Sequence, residues 1–280
     1  MNSMKNKLKI YCLTVAIITA VLTLLRTGAL FLSYDTALGY FNSSPVTAIM
    51  NALYILGALW AASSLVLLPA GSVECKFIPT EKRHVILSFI SGLAFSFSSI
   101  FLFASSSSFL DTLCAASALI SAFFFVFPYA LSNNFPSIRA YLSILSIVAF
   151  IGVTASLYFD MTIAMNSPHK IMGSLTLMSA MILMLCETRI FLGKSAARLH
   201  FASCLLTFIL GTSYSASSLV YLLVTSPSIF IANPILLGNV GHIGIMIGVS
   251  IYSAARALTF GDTEKTATAV PEVNESAQGE

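Results

Sequence analysis

Eight apolar stretches run along this chain, each long enough to cross a bilayer as a helix, with only short connections between them. A helix needs about 20 mostly apolar residues to span the hydrocarbon layer. Because lipid offers the backbone no hydrogen-bonding partners, each span is predicted to be helical. The predicted spans are approximately 10–33, 46–69, 85–105, 109–131, 140–159, 171–192, 201–224 and 235–257. The sequence therefore predicts an all-α integral membrane protein with eight transmembrane helices.

The composition argues against a water-soluble protein. Charged residues make up 9% of the chain and hydrophobic residues 57%, with a mean hydropathy of +0.90. Soluble domains are about one-quarter charged. We expect a multi-pass protein of the cell membrane, with the lipid bilayer as its first partner and no nucleic-acid partner. The five cysteines lack metal-ligand spacing, so we predict no disulfide and no metal site. We also predict no cofactor, since His242 has no second histidine at matching depth to hold a haem.

The basic residues predict the orientation of the spans, because lysine and arginine are enriched in cytoplasmic loops. Twelve of the fourteen fall on one side when successive loops alternate across the membrane. These twelve are Lys5, Lys7, Lys9, Lys76, Lys82, Arg83, Arg139, Arg189, Lys194, Arg198, Arg256 and Lys265. Arg26 lies within a span and Lys170 lies on the opposite side. Both termini are therefore predicted to be cytoplasmic, which agrees with an even number of spans.

Two sequence patterns recur in the same order in the two halves of the chain. The matching segments are Leu32–Asp35 with 42–45 against Leu157–Asp160 with 166–168, and Gly92–Ile100 against Gly211–Leu219. Recurrence in order indicates a duplicated unit. Eight spans divide into four and four, and both halves begin on the cytoplasmic side. We therefore predict a tandem parallel repeat, related by an axis along the membrane normal.

The two ends of the chain complete the predicted organisation. More apolar sequence follows Arg26, and no small-x-small pattern closes the first apolar run, so we expect an uncleaved first span. The last stretch is rich in acidic residues and poor in large apolar ones, which is typical of a disordered tail. The predicted units are a first four-helix repeat at 1–131, a second at 132–258 and a cytoplasmic tail at 259–280.

Polar residues concentrate in the outer halves of the predicted spans and just beyond them. Asn239 and His242 are spaced i,i+3 and therefore share one face of span eight. Serines of the recurring pattern lie in the outer halves of spans three and seven. We predict a pocket that opens away from the cytoplasm and takes a small-molecule ligand. Its candidate residues are Arg26, Asp35, Asp111, Asp160, Tyr214, Asn239 and His242.

Most of these residues also have a purely structural interpretation. Arg26 either pairs with Asp160 or Asp111, or extends its side chain to the outer interface. Pro45 and Pro168 suit the first turn of a helix, with the preceding serines as N-caps. The serines and the Gly-x-x-x-Gly spacing at 244–248 are typical of close helix packing. Glu187 is expected to belong to an ion cluster at the inner membrane surface.

Three classes of function stay open from the sequence. A small-solute transporter or permease agrees with the repeat and with the polar residues of the outer half, although the inner half looks poor in polar groups. A non-transporting membrane subunit agrees equally well with these features. It would be a receptor-like sensor or the anchor of a larger complex, and a quinone-linked anchor is one form of the latter. Its basic inner loops and acidic tail would bind a cytoplasmic protein. An intramembrane enzyme ranks last, because no catalytic motif is present and no catalytic residue is predicted.

Overall fold

The computed structural model describes residues 2–35, 40–69, 82–106, 109–126, 136–159, 167–194, 196–225 and 234–260. Within these ranges, the side chains at 2–5, 136–137 and 234–239 are outside the description. The predicted tail lies outside it from residue 261 onward.

Eight α-helices occupy the described ranges, as the apolar stretches predict. They are α1 Asn2–Leu32, α2 Pro45–Leu67, α3 Lys82–Ser105, α4 Phe109–Val126, α5 Pro136–Phe159, α6 Pro168–Phe191, α7 Ala197–Thr225 and α8 Pro234–Thr259. All eight are long and apolar enough to cross a membrane. Large apolar side chains such as Leu24, Val66 and Phe109 are exposed on their outer faces. The chain is therefore a multi-pass membrane protein, with a surface suited to lipid rather than to water.

The helices α3 to α8 form a closed ring in which each packs on the next and α8 returns to α3. The pair α1 and α2 packs on the outside of this ring, mainly against α7. Aromatic side chains fill part of the ring interior, where the rings of Phe95 and Phe125 stack with centroids 4.7 Å apart. Tyr252 of α8 adds an edge contact to Phe125 at 5.0 Å.

Successive helices alternate in direction, as spans joined by short loops must. Ser88 donates a hydrogen bond to the carbonyl oxygen of Phe125 at 2.9 Å, so α3 begins where α4 ends. The Ser143 and Thr188 hydroxyls are 2.7 Å apart, so α5 begins where α6 ends. We call the end of the bundle that holds these four residues the inner end and the opposite one the outer end, following the predicted orientation.

The helix packing gives no support to the predicted four-plus-four repeat. A two-fold relation between the halves would pair α4 with α7 in the same way as it pairs α8 with α3. The α3–α8 interface is the most extensive in the described chain, whereas α4 and α7 share no comparable interface. Likewise α6 packs closely on α7, and α2 has no comparable interface with α3.

Glycines and serines bring α3 and α8 close together. A Cβ atom added at Gly248 would lie 2.8 Å from Cδ2 of Phe95 and 3.1 Å from the carbonyl oxygen of Ser91. The Ser91 hydroxyl donates to the carbonyl oxygen of Gly248 at 2.6 Å. Gly244 lies against Ser98 in the same interface. The Gly-x-x-x-Gly segment is thus a tight packing face, as the sequence predicts.

Serine caps begin α2 and α6, each directly before a proline. The Ser44 hydroxyl accepts a hydrogen bond from the amide of Thr47 at 3.2 Å, and that of Ser167 accepts from the amide of Lys170 at 3.2 Å. Proline at the first helical position has no N–H to leave unsatisfied. Both predicted caps are confirmed.

Replacing Ser44 with alanine is expected to lower the free energy of unfolding by about 1 kcal/mol, because an amide at the start of α2 loses its acceptor. Denaturation of the purified protein in mixed micelles measures the change. The exposed neighbour Ser43 makes a matched control, and Ser43→Ala is expected to change the stability little. Equal stability of the two variants would contradict the cap.

A short antiparallel ribbon joins α1 to α2, which an all-α prediction does not include. Its strands are β1 Tyr34–Asp35 and β2 Tyr40–Phe41, with Tyr34 opposite Phe41 and Asp35 opposite Tyr40. The rings of Tyr34 and Phe41 contact each other, with centroids 5.2 Å apart. The ribbon thereby places two aromatic side chains at the outer end of α1.

Candidate functional site

A cavity of about 160 Å³ lies at the outer end, between α1, α5, α6, α7 and α8. Its lining residues are Leu30, Tyr34, Leu157, His169, Tyr214, Ser218, Tyr221, Leu222, His242 and Ile243. Aliphatic side chains alternate there with phenols, imidazoles and one serine hydroxyl. A mostly apolar wall with a few converging polar groups is typical of a small-molecule site. The volume is close to the roughly 150 Å³ that accommodates a benzene molecule.

Tyr214 of α7 connects the two sides of the cavity. It is buried, and its hydroxyl oxygen lies 2.8 Å from Nε2 of His169 on α6, within hydrogen-bond distance. Gly173, one turn after His169, lies beside this hydroxyl, and an added Cβ would make an ordinary van der Waals contact with it at 3.5 Å. His242 of α8 lines the opposite part of the same cavity. The cavity therefore presents two imidazoles to whatever enters it.

Arg26 lies behind the cavity, one helical turn before the lining residue Leu30. Only 1% of its surface is exposed. Its guanidinium carbon lies 5.1 Å from the ring centre of Tyr214 and 5.7 Å from that of Phe41, so it makes cation–π contacts with both. None of its three nitrogens has a hydrogen-bond partner within the described part of the chain. Arg26 thus pairs neither with Asp111 nor with any other described carboxylate, and its expected pairing with Asp160 lies outside the described residues.

Tyr34 lies beyond the end of α1, outside the spans, and lines the cavity from the ribbon. Its ring packs edge-on against Tyr221 of α7, with centroids 6.2 Å apart. Burial raises the pKa of the Tyr34 phenol, the nearby Tyr221 raises it further, and the Arg26 charge opposes both. Tyr34 therefore stays a neutral hydrogen-bond donor at physiological pH.

The structure brings together three of the seven predicted site residues: Arg26, Tyr214 and His242. Asp111 of α4 lies elsewhere, where the Ser156 hydroxyl donates to it at 3.4 Å. Asp35 is on the ribbon, beside Tyr34 but not among the lining residues. Asp160 and the side chain of Asn239 lie outside the described residues, so their predicted roles stay predictions.

Sequence reasoning missed His169, Tyr34 and Tyr221 as members of the cavity. His169 lies at the start of α6, and its ring is directed to the Tyr214 hydroxyl. Among the serines of the recurring pattern, only Ser218 lines the cavity. Ser98 and Ser217 instead donate to carbonyl oxygens of their own helices, at 2.6 Å each. A serine-rich face therefore indicated helix packing more reliably than it indicated a pocket.

A second polar cluster lies at the inner end and is fully buried. Glu187 of α6 accepts hydrogen bonds from the Tyr252 hydroxyl at 2.8 Å and from Nε of Arg256 at 2.7 Å. Nε2 of His200 on α7 lies 3.1 Å from the same carboxylate oxygen. The cluster of Glu187, His200, Tyr252 and Arg256 therefore ties α6, α7 and α8 together. Glu187 thus belongs to an ion cluster near the inner end of α6, as expected, and its side chain is 0% exposed.

Two further basic residues surround this inner cluster. Arg139 of α5 is buried, and its guanidinium carbon lies 4.9 Å from the Phe191 ring centre and 5.2 Å from that of Phe124. His84 of α3 packs its ring 5.9 Å from that of Tyr252. Five of the six ring helices thus contribute an ionisable residue here, and α4 contributes Phe124. The cluster lies about 27 Å from the cavity along α6, because Glu187 follows His169 by 18 positions at a rise of about 1.5 Å each.

The cavity offers phenol, imidazole and hydroxyl groups in a mostly apolar wall, which suits the binding of a small molecule. In the described ranges, no three His, Cys, Asp or Glu side chains gather in a way that would hold a metal ion. Comparisons with protein-family models, with curated protein sequences and with solved structures found no match. The interpretation of this membrane protein therefore depends on its own residues.

Proposed function

We propose that this protein is a small-solute transporter of the cell membrane and that the outer cavity is its solute site. The supporting observation is a cavity between helices that Tyr214, His169 and His242 line, with Arg26 buried against the Tyr214 ring. Ionisable residues are costly inside a membrane, so their gathering around a cavity favours a ligand-related role. Transporter sites typically form in this way, between helices within the bilayer.

The inner cluster would serve as the closed end of the transport path. Glu187, Arg256 and His200 join α6, α7 and α8 at the end opposite to the cavity. In alternating access, one end of the bundle closes as the other opens. Opening the inner end would separate Arg256 from Glu187 while the outer cavity closes. The proposal includes two predictions made from the sequence. Both termini are expected to be cytoplasmic, and the chain is expected to derive from a duplicated four-helix unit.

Single-cysteine proteins test whether the two ends open in turn. Ser218→Cys reports on the outer cavity, and the native Cys186, buried beside Glu187, reports on the inner end. Each is kept as the only cysteine, and a membrane-impermeant thiol reagent is added to vesicles of either orientation. We expect Ser218→Cys to react from the outer side and Cys186 from the inner side, because each end opens to its own compartment.

Cys114 supplies the matched control for this experiment. It is buried between α4 and α5 against Gly152, is not among the residues that line the cavity or form the inner cluster, and should resist the reagent from both sides. A Ser218→Cys protein as inert as the Cys114 protein would contradict an open outer cavity. A reactive Ser218→Cys with an inert Cys186 would contradict transport and leave only a binding pocket.

A receptor-like or anchoring subunit is the second candidate. The observation that favours it is the dense aromatic packing of Phe95, Phe125 and Tyr252 inside the helix ring, next to the inner cluster. A rigid interior suits a protein that senses a ligand or supports a cytoplasmic partner without moving a solute. Affinity purification from the native membrane would then recover a second protein in stoichiometric amount. A transporter acting alone would be recovered without one.

A further inference from the structure

The buried guanidinium of Arg26 identifies the kind of ligand that the outer cavity suits. A guanidinium stays charged and offers five N–H donors, all directed in its plane. Arg26 is 1% exposed, and the aromatic rings of Tyr214 and Phe41 give it cation–π contacts, while no described residue gives it an oxygen acceptor. A buried charge without acceptors is destabilising. An anion with two oxygen atoms would supply the missing acceptors.

The cavity provides the remaining features of an anion site. Its polar lining consists of phenol, imidazole and hydroxyl groups, and no carboxylate lies among the described residues that form it. Tyr214 separates the Arg26 guanidinium from the cavity and hydrogen-bonds to His169, so a change of its side-chain conformation would connect the two. The aliphatic walls, including Leu30 and Leu157, would enclose an apolar body.

We propose that the outer cavity binds a small organic carboxylate, with its carboxylate group at Arg26 and its apolar body against Leu30, Leu157 and Tyr214. The volume of about 160 Å³ limits that body to roughly a benzene ring or a branched alkyl group. This inference rests on the proposed use of the cavity as a solute site and adds the substrate class to it.

Equilibrium binding of benzoate and benzamide to the full chain in nanodiscs tests the inference, because the two probes share size and shape but differ in charge. We expect benzoate to bind about tenfold more tightly or better, as charge-assisted hydrogen bonds to Arg26 require. In Arg26→Gln, the preference for benzoate should disappear while benzamide binding stays unchanged. Arg189→Gln, which removes an exposed positive charge from α6, should leave both affinities unchanged.

Equal binding of the two probes, or an equal loss of benzoate affinity in Arg189→Gln, would overturn the proposal. A protection experiment avoids the risk that Arg26→Gln fails to fold. With Arg26 in place, benzoate should slow thiol modification of Ser218→Cys, and benzamide should protect far less at the same concentration. Equal protection by both probes would also overturn it.

The outcomes separate this inference from the proposed function. Selective benzoate binding with an inert Cys186 would overturn transport and support the ligand class. A Cys186 that reacts from the inner side, in a protein with no preference for benzoate, would support transport and overturn the ligand class.

Discussion

The Glu187→Gln protein is expected to lose about 3–5 kcal/mol of its free energy of unfolding, because the substitution leaves the Arg256 charge buried without its counter-ion. Glutamine keeps the size of the side chain, so lost packing would not explain the change. Arg256 and Glu187 are 1% and 0% exposed, which means that water cannot replace the missing partner. Denaturation in mixed micelles, followed by the loss of helical signal, measures the difference.

The double variant Glu187→Gln, Arg256→Met separates the ion pair from the shape of the site. Removing both charges should restore much of the lost stability, since buried ion pairs replaced by apolar groups are often neutral in cost. The exposed Arg189, two residues along the same helix, provides a control in Arg189→Gln, which should be close to the natural chain in stability. A double variant that is no more stable than Glu187→Gln would contradict the account.

Gly248→Ala is expected to destabilise the protein by about 1–3 kcal/mol through overpacking between α3 and α8. The added Cβ would lie 2.8 Å from the Phe95 ring and 3.1 Å from the Ser91 carbonyl oxygen. Neither can move easily, because Phe95 is stacked on Phe125 and the carbonyl belongs to the helix backbone. The substitution should therefore destabilise even though alanine favours a helix over glycine by about 1 kcal/mol.

Gly28→Ala is the matched control for this prediction. Gly28 lies in α1, and nothing lies within 4 Å of an added Cβ there. The helix preference of alanine should then act alone, and the stability should stay constant or rise slightly. Equal stability of Gly248→Ala and Gly28→Ala would contradict the prediction that close packing at Gly248 stabilises the contact between α3 and α8.

The two polar clusters lie at opposite ends of the same ring of helices, as the proposed transport would require. The outer cavity combines residues from α1 and four ring helices, and the inner cluster combines residues from the ring alone. Since α1 and α2 pack mainly on α7, their movement relative to the ring would reshape the cavity through Leu30 and Tyr34. The inner cluster would not be touched directly by such a movement.

Helix caps and packing glycines could be predicted from the sequence because they depend on neighbours in the chain. Ser44 before Pro45 is a local signal, and its hydrogen bond to Thr47 spans three residues. The glycines of α8 form a face by helical spacing alone. By contrast, the partner of an ionisable residue in a long helix depends on which helix lies beside it. The partners of Glu187 on α7 and α8 and the contact of Arg26 with Tyr214 therefore could not be predicted from the sequence.

The sequence by itself determined that the chain crosses a membrane and where its eight helices lie, because the apolar length needed to span lipid is a property of consecutive residues. Only the tertiary structure decided that Arg26 meets Tyr214 and that Glu187 meets Arg256, since these pairs join residues more than 60 positions apart on different helices. Contacts of that kind follow from the order and rotation of helices in the bundle. The hydropathy of the sequence carries little information about the order or the rotation of the helices.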